Sequence, residues 1–304
     1  MQRSRPTRNS FLDDLEWGCS IGLDNILLSI KGFPAEGDAI TLAFFLAECA
    51  HAKVYILHVE EQEGEEEERL LEDLYEEISI YAEELKITVD LDTVEGDGHT
   101  ADIILNKAKE INADLIVMGA QRLKLSRELF GTESTEVARR SKVPVFVVFT
   151  PFEDWTAYRR VKIRRILIPY RTLGEDMAAL KLTTAMASCA YSVVSPNIEI
   201  HLVHVVELPD ILPLDATSPE IKQEEKEFLR NVGEYSCTIG EPLIPRIIIG
   251  RDFSKSIVEF TKKLNFDLLV IAAKNRPRGF GGLLGSDVYN IAKRAYCATA
   301  VIFR

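Results

Sequence analysis

Two short basic loops, each followed by a pair of small residues, hold the side chains of this sequence best placed to do chemistry. Arg122, Lys124 and Arg127 precede Gly131-Thr132, and Lys274, Arg276 and Arg278 precede Gly285-Ser286. Small residues let backbone amides approach an anion. A Gly-Ser/Thr pair at a helix start adds unpaired N–H groups and the positive end of the helix dipole. Each nearby cation could contribute a charge-assisted hydrogen bond worth on the order of 1.5–3 kcal/mol. The chemistry on offer is capture of an anionic small molecule, with Gly119, Arg122, Gly131, Thr132, Gly285 and Ser286 as candidate contacts. Gly279, Gly281 and Gly282 would let the second loop order on binding. A solvated loop is the alternative.

Other chemistries find less support. His58 and His204 stand at corresponding points of two β-branched runs, where a general base could sit, but no carboxylate or nucleophile accompanies either at matching spacing. Both are expected to be structural. Five scattered cysteines form no CxxC pair, which suits buried thiols in a reducing compartment. The four glutamates Glu65 to Glu68 lie on a segment where Leu70, Leu74, Ile78 and Tyr81 recur at helical spacing, so they read as the wet face of an amphipathic helix.

The bulk properties agree. A net charge of -12 argues against general nucleic-acid binding, because phosphate attraction is a summed Coulomb effect. No apolar run reaches bilayer-spanning length and no signal peptide is evident, so a cytoplasmic protein without membrane insertion is expected.

The loops are positioned by a repeat. Asn25 to Ile30 and Arg165 to Tyr170 read as buried first strands; amphipathic helices follow, marked by Ala39, Leu42 and Leu46 and by Met177, Leu180 and Met186. Second strands are expected over 54–60 and 198–206. After a second helix, third strands over 87–94 and 245–249 lead to Gly96 and Gly250. Fourth strands over 113–118 and 266–271 are continuously apolar after a shared aspartate, the pattern of a strand buried on both faces. Last strands are expected over 143–149 and 298–303. Alternation of this kind predicts α/β architecture: two doubly wound parallel-sheet domains whose ligands bind beyond the strands' carboxyl ends. The expected division is an N-terminal extension (1–22), a first domain (23–150), a linker (151–162) and a second domain (163–304).

At this point the sequence resembles the universal stress protein family, in which a fourth strand ending in glycine is followed by G-2X-G-9X-G-S/T and a final helix. Ala113 to Gly119 with Gly131-Thr132 and Lys142 to Val148 is the fuller copy; Gly281 to Ser286 marks the second. The resemblance implies a five-stranded sheet in each half, an adenine nucleotide alpha hydrolase-like fold, and pairing of domains through their last strands, here an intrachain pseudo-dimer that could pair again as a homodimer. In one subgroup of the family the glycine motif holds ATP. This chain departs from that pattern: Arg122 replaces the second glycine with eight residues before Gly131, and Ala272 and Asn275 replace glycines in the second copy. Lys31 and Arg171 stand where nucleotide binders carry an acid, and Glu133 and Asp287 directly follow the Gly-Thr and Gly-Ser pairs.

Three functions compete. The leading one is a non-catalytic stress-response or regulatory protein that binds ATP, another adenine nucleotide or a different anion at the loops after strand four. The alternative is an interaction module with degenerate sites that regulates a partner such as a membrane transporter. Slow nucleotide hydrolysis is third, because phosphoryl transfer needs metal-binding carboxylates that the sequence does not display.

Overall fold

The computed structural model describes residues 22–31, 36–60, 65–96, 98–120, 132–150, 163–171, 198–239, 242–273 and 286–303. Outside them lie Arg122, Gly131 and Gly285, the other residues of both expected basic loops, the expected linker (151–162), and the helix expected around Met177 to Met186.

The first half alternates without exception: β1 (Asn25–Ile30), α1 (Gly37–Ala50), β2 (Lys53–Glu60), α2 (Glu65–Leu85), β3 (Val89–Glu95), α3 (Thr100–Glu110), β4 (Leu115–Ala120), α4 (Thr132–Arg140) and β5 (Val145–Phe149). The second half supplies β6 (Arg165–Tyr170), β7 (Glu199–Glu207), α5 (Pro219–Ile239), β8 (Leu243–Gly250), α6 (Phe253–Leu264), β9 (Leu268–Ala272), α7 (Ser286–Arg294) and β10 (Ala298–Phe303). Periodicity carries through to burial: on the acidic helix α2, Leu71, Leu74, Ile78 and Ala82 are buried while Glu72, Glu76 and Glu77 face solvent.

All strands join one sheet in the order β3-β2-β1-β4-β5-β10-β9-β6-β7-β8. Both halves therefore have the same internal order, third-second-first-fourth-fifth. Every pairing within a half is parallel. The halves meet through their last strands, antiparallel, with Val147 opposite Val301. Phe146, Phe149 and Phe303 at this join are fully buried, and on each face of the sheet a hydrophobic core runs across both halves. One face of the sheet packs under α1, α2 and α5, the other under α3, α4, α6 and α7.

Several boundaries differ from the sequence expectation for local reasons. The third strand begins at Val89 because Lys86 adopts φ 56° and the Ile87 N–H donates back to Ala82 O, ending α2 with a left-handed cap. The fourth strands begin at Leu115 and Leu268, each preceded by an asparagine with positive φ, Asn112 and Asn265. The shared aspartates lie just ahead of these strands and act as staples. Asp114 Oδ2 accepts from the Asp24 and Asn25 N–H groups, both at 2.9 Å; Asp267 Oδ2 accepts from those of Arg164 and Arg165, both at 2.8 Å. Each staple fixes the start of a half's first strand beside its fourth, and so sets where both carboxyl ends emerge.

The outermost strands are blunted. Asp90, Asp92 and Glu95 line β3, and β8 carries Pro245, which cannot donate to a further strand.

Candidate functional site

In each half the chain reverses direction across the sheet between the first and fourth strands, because β1 pairs with β2 on one side and β4 on the other, and β6 with β7 and β9. The crevice outside the carboxyl ends at such a point is where doubly wound folds place ligands. Thr132 and Ser286 are the first residues of α4 and α7, as their motif position requires. Gly119 lies inside β4, opposite Val148, so this strand runs two residues beyond Met118. Arg122, Gly131 and Gly285 lie outside the described residues.

Across each crevice runs an ion pair. Lys31, directly after β1, places Nζ 2.7 Å from Glu133 Oε1 in the first turn of α4. Arg171, directly after β6, places Nη2 3.0 Å from Asp287 Oδ2 in the first turn of α7. The reversed charges after the first strands and the carboxylates at the closing helices are thus partners. Each carboxylate sits in the favourable field of a helix N-terminus and is neutralised from the opposite side.

The second half extends this arrangement. Arg171 also lies 3.3 Å from Glu207 Oε2 at the end of β7 and stacks over the Phe253 ring at 4.4 Å. Glu207 Oε1 accepts from the Phe253 N–H, tying the start of α6 to the same cluster. Asp252 caps α6, accepting from the Lys255 N–H at 2.8 Å; this bond holds its carboxyl below the usual range. Gly250, just before, has no room for a side chain: a Cβ would lie 2.0 Å from Ser256 Oγ.

The first half instead carries a buried acid that sequence reasoning missed. Glu36, at the start of α1, is almost wholly enclosed. Its Oε1 accepts from the Lys31 N–H at 3.3 Å, and Oε2 has no hydrogen-bond partner among the described residues. Burial pushes this carboxyl up to about 8 against the smaller opposing effect of Lys31. The run Gly32 to Ala35 carries no pattern that would mark the following glutamate as internal.

The paired histidines are cross-ties. His58 Nδ1 lies 3.2 Å from Ile30 O, and His204 Nδ1 lies 3.4 Å from Tyr170 O, so each links the end of a second strand to the end of a first. His204 does have a carboxylate partner: α5 brings Glu224 Oε1 within 2.8 Å of Nε2, a pairing that strand spacing could not reveal. Stacking on Phe228, with centroids 5.1 Å apart, fixes that ring further. Among the described residues no group of three or more His, Cys, Asp or Glu side chains could hold a metal ion, and no helix is long and apolar enough to cross a membrane. Cys49 and Cys297 are buried and Cys237 is exposed.

A doubled sheet joined through its last strands, with a short closing helix starting at Thr132 or Ser286 beyond each fourth strand, defines the class: a tandem doubly wound α/β protein. The chain belongs to the universal stress protein family, whose pattern matches residues 22–148 and again 162–302. A universal stress protein of Archaeoglobus fulgidus aligns over 92% of this chain and 98% of its own, with a TM-score of 0.63 at 17% identity. A putative universal stress protein of Pseudomonas aeruginosa aligns over 92% and 93%, with a TM-score of 0.58 at 18% identity. These likenesses concern the fold. In sequence, 210 residues, 68% of the chain, are 26% identical to part of a protein named Na(+)/H(+) antiporter NhaS5 from Synechocystis sp.; the chain spans 27% of that relative's length.

Proposed function

We propose that this chain is a non-catalytic regulatory protein acting on a cation/proton antiporter, in cis within a longer polypeptide or in trans. The observation that carries the regulatory reading is the mirrored ion pair, Lys31–Glu133 and Arg171–Asp287. At both crevices the field that would hold a phosphate is taken by the chain's own carboxylate, which is paired with the cation directly after the first strand. Among the described residues no group of metal-ligating side chains accompanies either crevice. The choice of target rests on similarity to part of an antiporter-named protein. The test is proton-coupled sodium exchange in inverted membrane vesicles, with and without the purified chain. A change in rate or in its pH profile is expected, and identical exchange in both samples would overturn the reading.

A second reading, capture of ATP, another adenine nucleotide or a different anion, is favoured by one observation: both closing helices start at the small residue the motif requires. The ligand would contact Gly119, Arg122, Gly131 and Thr132, or Gly285 and Ser286, and would have to displace Glu133 or Asp287 from its cation. Mass spectrometry of small molecules released from freshly purified, denatured protein tests it; a stoichiometric nucleotide would favour this reading over the first.

A further inference from the structure

The connection from β7 to α5 is an ordered double turn. Leu212 N–H donates to Pro209 O at 3.1 Å, and Ala216 N–H to Pro213 O at 3.0 Å. The Arg251 guanidinium gathers the carbonyls of Leu208, Pro209 and Leu212. Leu208 is buried with Val206 and Ile221, so the base of the double turn belongs to the protein's interior. Its tip does not: Ile211 is 90% exposed, Leu214 52% and Leu212 39%. A loop fixed by three carbonyl contacts that presents three large aliphatic side chains to water has the form of a binding anchor, because little conformational freedom remains to be lost on contact.

Charge selects the occupant. Asp210, which lies 3.9 Å from Arg251, and Asp215 flank the tip, and the start of α5 beside it adds Glu220, Glu225 and Glu227 against Lys222 and Lys226. Anionic lipid headgroups are repelled by such a surface, and so is a second copy of a chain with net charge -12. A basic amphipathic segment fits both features, and Lys/Arg-rich flanks of this kind are what membrane transporters present on the cytoplasmic side. We propose that the Leu208–Ala216 double turn is a docking knob for a basic, amphipathic segment of a partner protein. This deepens the regulatory reading above and rests on it.

The experiment is fluorescence anisotropy of a labelled amphipathic Leu/Lys helical peptide against the full chain, beside a Leu/Glu counterpart. The Leu/Lys peptide is expected to bind saturably. Ile211→Ser with Leu214→Ser, both at exposed positions and checked for an unchanged melting midpoint, should weaken it about tenfold or more. Asp210→Asn with Asp215→Asn should reduce both affinity and its salt dependence. Equal affinity in the serine variant would overturn the proposal, as general electrostatics would then account for binding. So would binding to anionic or neutral vesicles, or concentration-dependent self-association, that the serine variant loses. Vesicle exchange that responds equally to wild type and serine variant removes this surface and leaves the regulatory reading standing; peptide binding that depends on Ile211 and Leu214, with exchange unresponsive to either chain, supports the surface and removes that reading.

Discussion

Lys31 Nζ lies 2.7 Å from Glu133 Oε1 across the crevice of the first half, and Arg171 reproduces the contact with Asp287 in the second. The participating side chains are 28% to 51% exposed, so solvent screens both pairs and each is worth about 0–1 kcal/mol. Their consequence is occupancy rather than stability. Glu133→Gln and Asp287→Asn should each shift the urea midpoint by no more than that range implies, with the shift vanishing in high salt. A loss of several kcal/mol from either would show that the pair is structural.

Glu36 makes stability depend on pH. Its carboxyl rises from 4.5 to about 8 on folding, so the folded state holds the proton more tightly than the unfolded chain. The associated stability is fully present below the unfolded value and is lost as pH climbs through the folded one. Glu36→Gln should match the wild type at about pH 4 and exceed it above about pH 8, by on the order of a few kcal/mol. Urea denaturation at several pH values checks this, and a gap that does not widen with pH would contradict it.

Asp114 and Asp267 each hold two backbone N–H groups of a strand start. Asp114→Ala or Asp267→Ala strands those donors and should cost about 1–3 kcal/mol. The two losses should be alike because the geometry is alike. Denaturant midpoints within a few tenths of a kcal/mol of wild type would remove the staple from the account.

The join between halves is equally open to test. Val301 is fully buried opposite Val147, and Val301→Asp places an unpaired charge there. A cost of several kcal/mol is expected. Hydrogen exchange should accelerate first in β5 and β10; an unchanged melting midpoint would contradict a shared core.

The strands were legible because a parallel strand buried on both faces must be apolar throughout, as Leu115 to Met118 and Leu268 to Ile271 are. The repeat made both halves legible at once, and the meeting of last strands followed from the family resemblance. Pairings between distant residues were not legible. Lys31 and Glu133 were each visible as a charge at a special position, yet 102 residues separate them, and only the fold turns two departures from a motif into one contact. His204 and Glu224 meet for the same kind of reason, across a turn and a helix. Glu36 was hidden because burial of an acid is a property of its enclosure, to which spacing is blind.

Isothermal titration of ATP into the wild-type chain and into Glu133→Gln/Asp287→Asn is the sharpest test of crevices closed by the chain's own ion pairs. No measurable heat is expected for the wild type at millimolar ATP, and a binding isotherm, weakened by salt, for the variant in which Lys31 and Arg171 no longer face the carboxylates of Glu133 and Asp287. Tight ATP binding by the wild type with both ion pairs in place would contradict that closure.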